Sequence, residues 1–442
     1  MLLAILFWLI FYQNLPSNFG LGGAPSDDIA AGNTIDRIIK ICMLAMSVYV
    51  IATRWGLTRS VVKNTNVGAA AFLLLAALSF FWSIEPADTI LRFISLASIT
   101  LTCFAISLAG WHRQRLQQLA IPPLMFILIV SLVVGIMFPD KITEIGDDLS
   151  QKGAWHGITL TKNQFGMTAS IATIFCVNRV LAREGRTIAA ILGSLVAFVC
   201  LMLSRSNASM FATLIGVVFM VLVMRVPVIR RRYSPHVVVG IAATIILYEL
   251  VIQNIVPGAY TLLAPVRSLT GKDATFSART QIWNVIKEHI HWAPFLGTGY
   301  GAYWVGPVPG SPSRVFKYIM YFYPSEAHNG YLDVINDLGY LGLICLFIFL
   351  VAYIRQALRL MQMDRSQAAL YLALLFQQMA MNMSESEWFA RDSTFTVLIL
   401  GIACLSRAVL ESRRQTTVGV PTPIPAVRPG RRLLPGKFRR SH

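Results

Sequence analysis

The sequence predicts an all-α integral membrane protein that crosses the bilayer about 12 times. Hydrophobic residues make up 55% of the 442 positions and charged residues only 13%, whereas soluble domains are typically about 25% charged. The hydrophobic residues are gathered in separate stretches, many of them close to the roughly 20 residues that a helix needs to span a bilayer. A single soluble domain is therefore excluded.

Nine of the predicted spans fall in residues 1–253 and three in residues 329–410. The first is short, but no basic segment precedes it, so we interpret it as an uncleaved span rather than a signal peptide. In order, the spans lie near 1–15, 36–53, 67–83, 90–109, 119–138, 162–181, 187–203, 208–225, 236–253, 331–354, 367–383 and 393–410.

The charges in the connecting segments predict the orientation. Most of the 38 lysines and arginines fall in alternate connections and in the C-terminal tail, and cytoplasmic segments carry such an excess. Of the 21 acidic residues, only Glu184, Asp364 and Glu411 share that side. A multi-pass membrane protein with both termini in the cytoplasm is therefore predicted.

The formal net charge of +17 comes largely from this topology and from the tail, residues 411–442. The Pro- and Arg-rich composition of the tail predicts disorder, and its expected partner is the anionic lipid of the inner leaflet. No nucleic-acid partner is predicted.

The connection 254–328 is far longer than an ordinary loop, and long loops are usually functional. It is also basic on an otherwise acidic outer face, which indicates an anionic ligand such as a lipid phosphate or an anionic glycan. Within it, 275–290 has the pattern of an amphipathic helix, expected to lie in the membrane interface. Arg279 in its first turn is either a phosphate ligand or an interfacial anchor.

Two further polar groups stand at outer ends of predicted spans. Arg205, in "LSRSNASM", is an arginine on the side that the positive-inside rule disfavours, so a functional role is favoured. Lys162 and Asn163, in "LTKNQFG", are the first residues of a predicted span at its outer end. They are equally consistent with an interfacial anchor and with a functional role. The glycine-rich "PFLGTGYGAYW" (294–304) does not follow a strand, which excludes a nucleotide-binding loop.

The stretch "EAHNGYLDVINDLGYLGLI" (326–344) places polar residues at the start of a span. One helical face carries Asn329, Asp333, Asn336, Asp337 and Tyr340, and such a stripe should line a wet cavity because it is costly in lipid. Gly339 and Gly342 would let a neighbouring helix approach. His328 stands at the mouth of this cavity. The alternative is that His328 and Asn329 merely cap the helix.

These segments resemble the bacterial O-antigen ligase and Wzy-type polysaccharide polymerase superfamily, which includes the ExoQ-like exopolysaccharide polymerases. The resemblance is carried by "SARTQIW", "PFLGTGYGAYW" and "AHNGYLDVINDLGYLGL", in that order, and more weakly by "TKNQFG" and "LSRSNAS". It covers residues 155–345.

The resemblance implies a C-type glycosyltransferase that works without a metal or other cofactor at the periplasmic face of a bacterial inner membrane. The implied donor is a glycan on undecaprenyl diphosphate, and the acceptor is another lipid-linked repeat in a polymerase or lipid A-core in a ligase. It assigns the catalytic role to His328 and diphosphate binding to Arg205 and Arg279. In this reaction His328 would act as a largely neutral general base, Asn329 would orient it or a sugar hydroxyl, and Asp333 and Asp337 would bind sugar hydroxyls. Polymerisation is favoured, and partners in polysaccharide export or chain-length control are compatible with it.

Two rival interpretations stay open. A flippase for lipid-linked oligosaccharide would also have about a dozen spans, but transporters place polar groups at the midplane. A metal-dependent enzyme would need a cation site, for which Asp27–Asp28 or Asp147–Asp148 are the candidates.

Overall fold

The computed structural model of the protein describes residues 4–5, 7–8, 34–144, 153–185, 187–253, 255, 277–306, 310–320, 323–390 and 393–418. Apart from one isolated β-bridge between Thr143 and Trp155, these residues form helices and their connections. The helices are α1 (Thr34–Thr53), α2 (Trp55–Val62), α3 (Val67–Leu78), α4 (Pro86–Ala109), α5 (Arg115–Met137), α6 (Lys162–Ala182), α7 (Thr187–Leu203), α8 (Asn207–Arg225), α9 (Ser234–Ile252), α10 (Ser277–Ile290), α11 (Phe316–Met320), α12 (Gly330–Met363), α13 (Arg365–Met381) and α14 (Ser393–Val418).

The described helices fit a protein that crosses a membrane several times, but the predicted number of about 12 is not confirmed. Seven helical segments are long and apolar enough to span a bilayer, or eight if α1 and α2, which meet at 96°, form one broken span. Helices α7 and α13 have 17 residues each, about 25 Å of helix against about 30 Å of hydrocarbon. The predicted span 1–15 lies mostly outside the described residues.

Helix α13 lies in the core of the molecule. Its residues from Gln367 to Met381 are all buried, because it packs against α6, α8, α12 and α14. A helix that other helices enclose does not need the length or the uniform apolar surface of a lipid-facing span. This explains why α13 carries three buried glutamines, Gln367, Gln377 and Gln378.

The two ends of the helical bundle are defined by α12. This helix of 34 residues starts after His328 and ends before Asp364, and α13 then returns to the link 382–390. We call these the His328 end and the Asp364 end. Helix α12 is broken at Gly339, whose φ of 63° and ψ of −165° are not helical and belong to a region that essentially only glycine adopts.

Helix α10 begins at Ser277, two residues after the predicted start at 275, and its apolar face does not meet lipid as expected. Its apolar residues Ile282, Trp283 and Ile286 are at most 2% exposed and pack inside the protein. Trp283 also donates from Nε1 to the carbonyl oxygen of Ala327, at 3.0 Å. The apolar face therefore fixes α10 to the segment that leads into α12.

The C-terminal tail departs from the expected boundary. Disorder was expected from residue 411, yet α14 continues to Val418. Residues 419–442 lie outside the described residues, as does most of 254–276.

Candidate functional site

The segment that carries His328 is held by a helix cap. Asn329 is the N-cap of α12, and its Oδ1 accepts from the backbone N–H groups of Tyr331 and Leu332, both at 3.0 Å. Its Nδ2 donates to Glu249 Oε1 at 2.7 Å. Both ends of this buried amide are thus engaged by protein groups. Asn329 therefore caps the helix, as the alternative interpretation expected. Because its amide is engaged by protein groups, it positions the start of α12 instead of contacting the His328 ring or a sugar.

The ring of His328 lies between two carboxylates. Its Nδ1 is 3.0 Å from Glu326 Oε1 and 3.3 Å from Glu385 Oε2. His328 itself has a left-handed backbone, with φ 51°, which is uncommon for a residue other than glycine. The side chain is 34% exposed, so the ring is accessible while one of its nitrogens is committed to the acids.

This arrangement changes the protonation of the histidine. Burial disfavours the charged ring, but the hydrogen bonds and charges of Glu326 and Glu385 outweigh it and raise the pKa of His328 to about 9. Burial also raises the pKa of Glu326 to about 7. For Glu385, burial acts upward, but His328 and the charge of Arg279 prevail and lower its pKa. The expectation of a largely neutral imidazole at neutral pH is therefore wrong for this arrangement.

Glu385 joins three of the residues that the sequence singled out. Its Oε1 accepts from Arg279 Nη2 at 3.0 Å and from Asn163 Nδ2 at 2.7 Å, while Oε2 faces His328. These partners come from α10, from the first turn of α6 and from the residue before Asn329. Sequence reasoning missed Glu385 as a site residue. In the sequence, Glu385 was recognisable only as an acid on the predicted outer face, because its partners lie up to 222 residues away along the chain.

The link 382–390 holds the residues of this cluster in place. The backbone N–H of Gly330 lies 2.9 Å from the carbonyl oxygen of Asn382 and 3.1 Å from that of Glu385. A Cβ on Gly330 would lie 1.9 Å from Asn382 Oδ1, so only glycine allows this approach. Ser386 Oγ adds a hydrogen bond from the N–H of Asn329. The start of α12 and the link that bears Glu385 are thus locked together.

Asp333 and Asp337, predicted to bind sugar hydroxyls, hold protein groups in the structure. Asp333 accepts from Trp304 Nε1 at 2.8 Å and from the N–H of Ala327 at 2.9 Å. Asp337 accepts from the N–H of Gly301 at 2.7 Å. The polar stripe therefore fastens the glycine-rich segment 294–304 to α12, and a direct sugar contact by these acids stays a prediction.

Arg92, which the sequence analysis did not single out, holds the other side of the same segment. It is 6% exposed and donates to the carbonyl oxygens of Gly301 and Trp304. The close approach predicted for a helix at Gly339 is made instead by this segment, because a Cβ there would lie 2.2 Å from the carbonyl carbon of Phe295.

Arg205 and Lys162 lie at the same end of the molecule. Arg205 is exposed, with φ 49°, and a Cβ on Gly153 would lie 3.9 Å from both of its terminal nitrogens. Its link reaches α6 at Gly166, where a Cβ would lie 2.8 Å from that of Ser206. Since Gly166 follows Asn163 by one helical turn, the link that bears Arg205 packs on the same end of α6 as Asn163, and a role of Arg205 in the site stays a prediction. The backbone N–H of Lys162 donates to Glu144 Oε1.

The cluster also has the donor types that a metal ion needs. Glu326, His328 and Glu385 each offer a ligand atom, and these atoms lie within 4.8 Å of one another. Carboxylate oxygen and imidazole nitrogen suit divalent cations. The paired acids considered from the sequence, Asp27–Asp28 and Asp147–Asp148, lie outside the described residues.

Residues 192–347 match the O-antigen ligase family. The matched range includes Arg205, Arg279 and His328 but begins after Asn163. The chain is also 29% identical over 318 residues to the exopolysaccharide production protein ExoQ of Rhizobium meliloti (strain 1021), a match that covers 69% of each protein. Together with the apolar helices, these findings indicate an integral membrane protein that is similar to the O-antigen ligase family and to ExoQ.

Proposed function

We propose that the protein is a membrane glycosyltransferase that polymerises repeat units of an exopolysaccharide or O-antigen. The glycan would pass from undecaprenyl diphosphate to an acceptor hydroxyl at the periplasmic face of the inner membrane. The observation that carries the proposal is the His328 ring between Glu326 and Glu385, next to Arg279, inside the region that matches the family. The similarity to an exopolysaccharide production protein supports polymerisation.

His328 is the proposed general base. With Nδ1 directed at the two carboxylates, the other ring nitrogen, Nε2, is left for the acceptor. The neutral ring takes the hydroxyl proton as the acceptor oxygen bonds to the anomeric carbon, and the bond from that carbon to the diphosphate oxygen breaks. A positioned base of this kind contributes about 10²–10⁴-fold to the rate. Glu326 and Glu385 orient the ring and stabilise its charge once the proton has moved.

Arg279 and Arg205 are the proposed ligands of the leaving diphosphate. Arg279 is 22% exposed and commits Nη2 to Glu385, but a guanidinium has five N–H donors. Held in place by that ion pair, it can meet the growing charge on the diphosphate without reorganisation. We propose that this cationic stabilisation operates without a metal ion. Inhibition by chelator, restored by a divalent cation, would instead assign a metal to Glu326, His328 and Glu385.

The test uses a deletion strain that carries variants of the full chain. His328→Ala and Arg279→Lys should reach the membrane, make no elongated glycan and accumulate lipid-linked donor, because lysine keeps the charge but loses the planar fork. The matched controls are His291→Ala and Arg314→Lys, both on exposed residues of the same long segment. Normal polymer from the His328 variant would refute the proposed role.

A second candidate is an O-antigen ligase, supported by the description of the matching family. The same chemistry would then join the glycan to lipid A-core, and the deletion strain would lose glycan on lipopolysaccharide while free polymer persists. The transporter alternative has less support, because the charged site lies at one end of the helices and not at their middle.

A further inference from the structure

A second charged region lies at the Asp364 end, away from the proposed catalytic site. Two adjoining cavities of about 580 and 490 Å³ open there, and both are lined by Arg225, Arg230 and Arg365. Arg231 lines the second cavity. We call Arg225, Arg230, Arg231 and Arg365 the arginine cavity.

The two acids beside these cavities share one arginine partner that is not among the four. Glu184 and Asp364 both line the larger cavity, and both pair with Arg113. Gln114 donates to Glu184 as well, at 2.9 Å, and Ser366 donates to it at 3.1 Å. Arg113 thus offsets one of these two negative charges, and the one that remains is outnumbered by the four other arginines.

The four arginines of the cavity have no such counter-charge. Within the part of the chain that the structure describes, none of them has a carboxylate within the 4.0 Å of an ion pair. Arg225 donates to the carbonyl oxygen of Leu181, and Arg365 to the hydroxyl of Ser234. Residues 419–442, which follow α14, contain no acid. Burial lowers the pKa of Arg365, and the nearby charge of Arg230 adds to this effect.

The surroundings place this cavity at a membrane surface. Arg230 and Arg231 lie in a π-helical turn, Ile229–Tyr233, at the start of a candidate span that runs to Ile252. Such turns are rare and frequent at functional sites. Apolar side chains are exposed beside the arginines, with Val228 at 63% and Met363 at 46%. The combination of guanidinium groups and apolar surface fits a headgroup above acyl chains.

We propose that the arginine cavity binds a phosphate-bearing anion, with the headgroup of an anionic phospholipid as its occupant. The guanidinium fork matches phosphate oxygens in a bidentate manner, and a bound phosphate would relieve the repulsion among these arginines, whose charge exceeds that of the nearby acids. The site differs from the C-terminal tail, whose basic residues 428–440 are a separate attraction for anionic lipid.

The proposal is tested with the purified full chain in detergent, by measuring its unfolding temperature with added phosphatidylglycerol, phosphatidylcholine or inorganic pyrophosphate. A ligand that binds the native state raises this temperature. Phosphatidylglycerol should stabilise the protein and phosphatidylcholine should not. In the double variant Arg230→Ala, Arg365→Ala the apparent affinity should fall by at least about tenfold, since two charge-assisted contacts are lost.

The matched control is Arg355→Ala, Arg359→Ala, which removes the same charge from exposed residues near the same end of α12 and should respond as the unmodified protein does. If the cavity variant does not fold, the effect in the unmodified protein still has to weaken with added salt. Stabilisation by pyrophosphate without lipid would identify a soluble phosphate as the occupant. Equal responses to the two lipids, or equal losses in the two double variants, would overturn the proposal.

Discussion

Glu385 is a buried carboxylate that contacts side chains from three separate parts of the chain. It is 7% exposed and holds Asn163 and Arg279 by hydrogen bonds while facing His328. A buried charge is retained at such a place only when it is paired and hydrogen-bonded. Glu385 therefore sets the relative positions of the proposed base and the proposed diphosphate ligand.

Glu385→Gln is expected to lower polymer formation by about 100-fold, since displacing a reacting group by about 1 Å has such an effect. The amide keeps the shape but loses the charge that holds Arg279 and the protonated ring. The measurement is glycan length and amount in the complemented deletion strain, at matched protein levels. Glu288→Gln, an exposed acid on α10, is the control. Unchanged polymer with Gln at 385 would remove Glu385 from the site.

The pH dependence follows from the raised pKa of His328. A base must be neutral, and two pH units below its pKa only about 1% of the rings are neutral. Activity of the purified protein is therefore expected to rise from about pH 7 and to level off above about pH 9. Glu326→Gln removes one of the two carboxylates, lowers the pKa of His328 and should move the rise to lower pH. Activity that falls above pH 9 would show that the charged ring is the active form.

At the scale of elements, the break in α12 at Gly339 is the point where this helix contacts the glycine-rich segment 294–304. The backbone of Phe295 and Leu296 reaches Gly339 so closely that a Cβ would lie 2.2–2.5 Å from it. In turn, Gly297, with φ 65°, brings its segment against the backbone of Asp337. Glycines in both segments thus allow the close approach, and hydrogen bonds to Asp333 and Asp337 stabilise it.

Gly339→Ala is expected to destabilise the protein by about 1–3 kcal/mol, because alanine is strained in this conformation and also meets the loop backbone. The measurement is the unfolding temperature in detergent. Gly240→Ala is the control, since Gly240 lies in α9 and a Cβ there meets nothing within 4 Å. An equal effect of the two substitutions would mean that the contact at Gly339 is not tight.

The amphipathic pattern of α10 predicts a helix but not the surface against which its apolar face packs. The spacing of Ile282, Ile286 and Ile290 correctly indicates a helix with one apolar face. It does not distinguish lipid from a protein surface, because acyl chains are as apolar as leucine. The partners that decide the matter, Tyr303 and Phe316 among them, come from later in the same long segment.

At the scale of the whole molecule, the two proposed sites lie at opposite ends of the helices. The Glu385 cluster occupies one end, and the arginine cavity occupies the other. The excess of arginine at the Asp364 end agrees with a cytoplasmic placement of that end. It leaves the His328 end for the periplasm, where the proposed donor would be presented.

Single cysteines test this orientation in a background in which the six native cysteines are replaced. Trp292→Cys lies at the His328 end, at a residue that is 86% exposed, and Gln362→Cys lies at an exposed position of the Asp364 end. An impermeant thiol reagent should label the first in intact cells and the second only after lysis. The reverse pattern would place the proposed site on the wrong side of the membrane.

The sequence by itself determined the class of the protein and singled out several polar residues that the structure brings together at Glu385. Apolar stretches and charge asymmetry are local properties of the chain, so they predict membrane helices without knowledge of their neighbours. The polar residues around Asn163, Arg279 and His328 stood out for the same reason, since ionisable groups at span ends are costly and few.

Only the tertiary structure decided how these residues act. Glu385 joins side chains from distant positions, and Asn329, Asp333 and Asp337 turn out to hold the protein together at the site. The protonation of His328 depends on two carboxylates, of which Glu385 is 57 residues away along the chain. Burial and charge proximity arise only when separate helices pack, and no local pattern specifies which of them will meet.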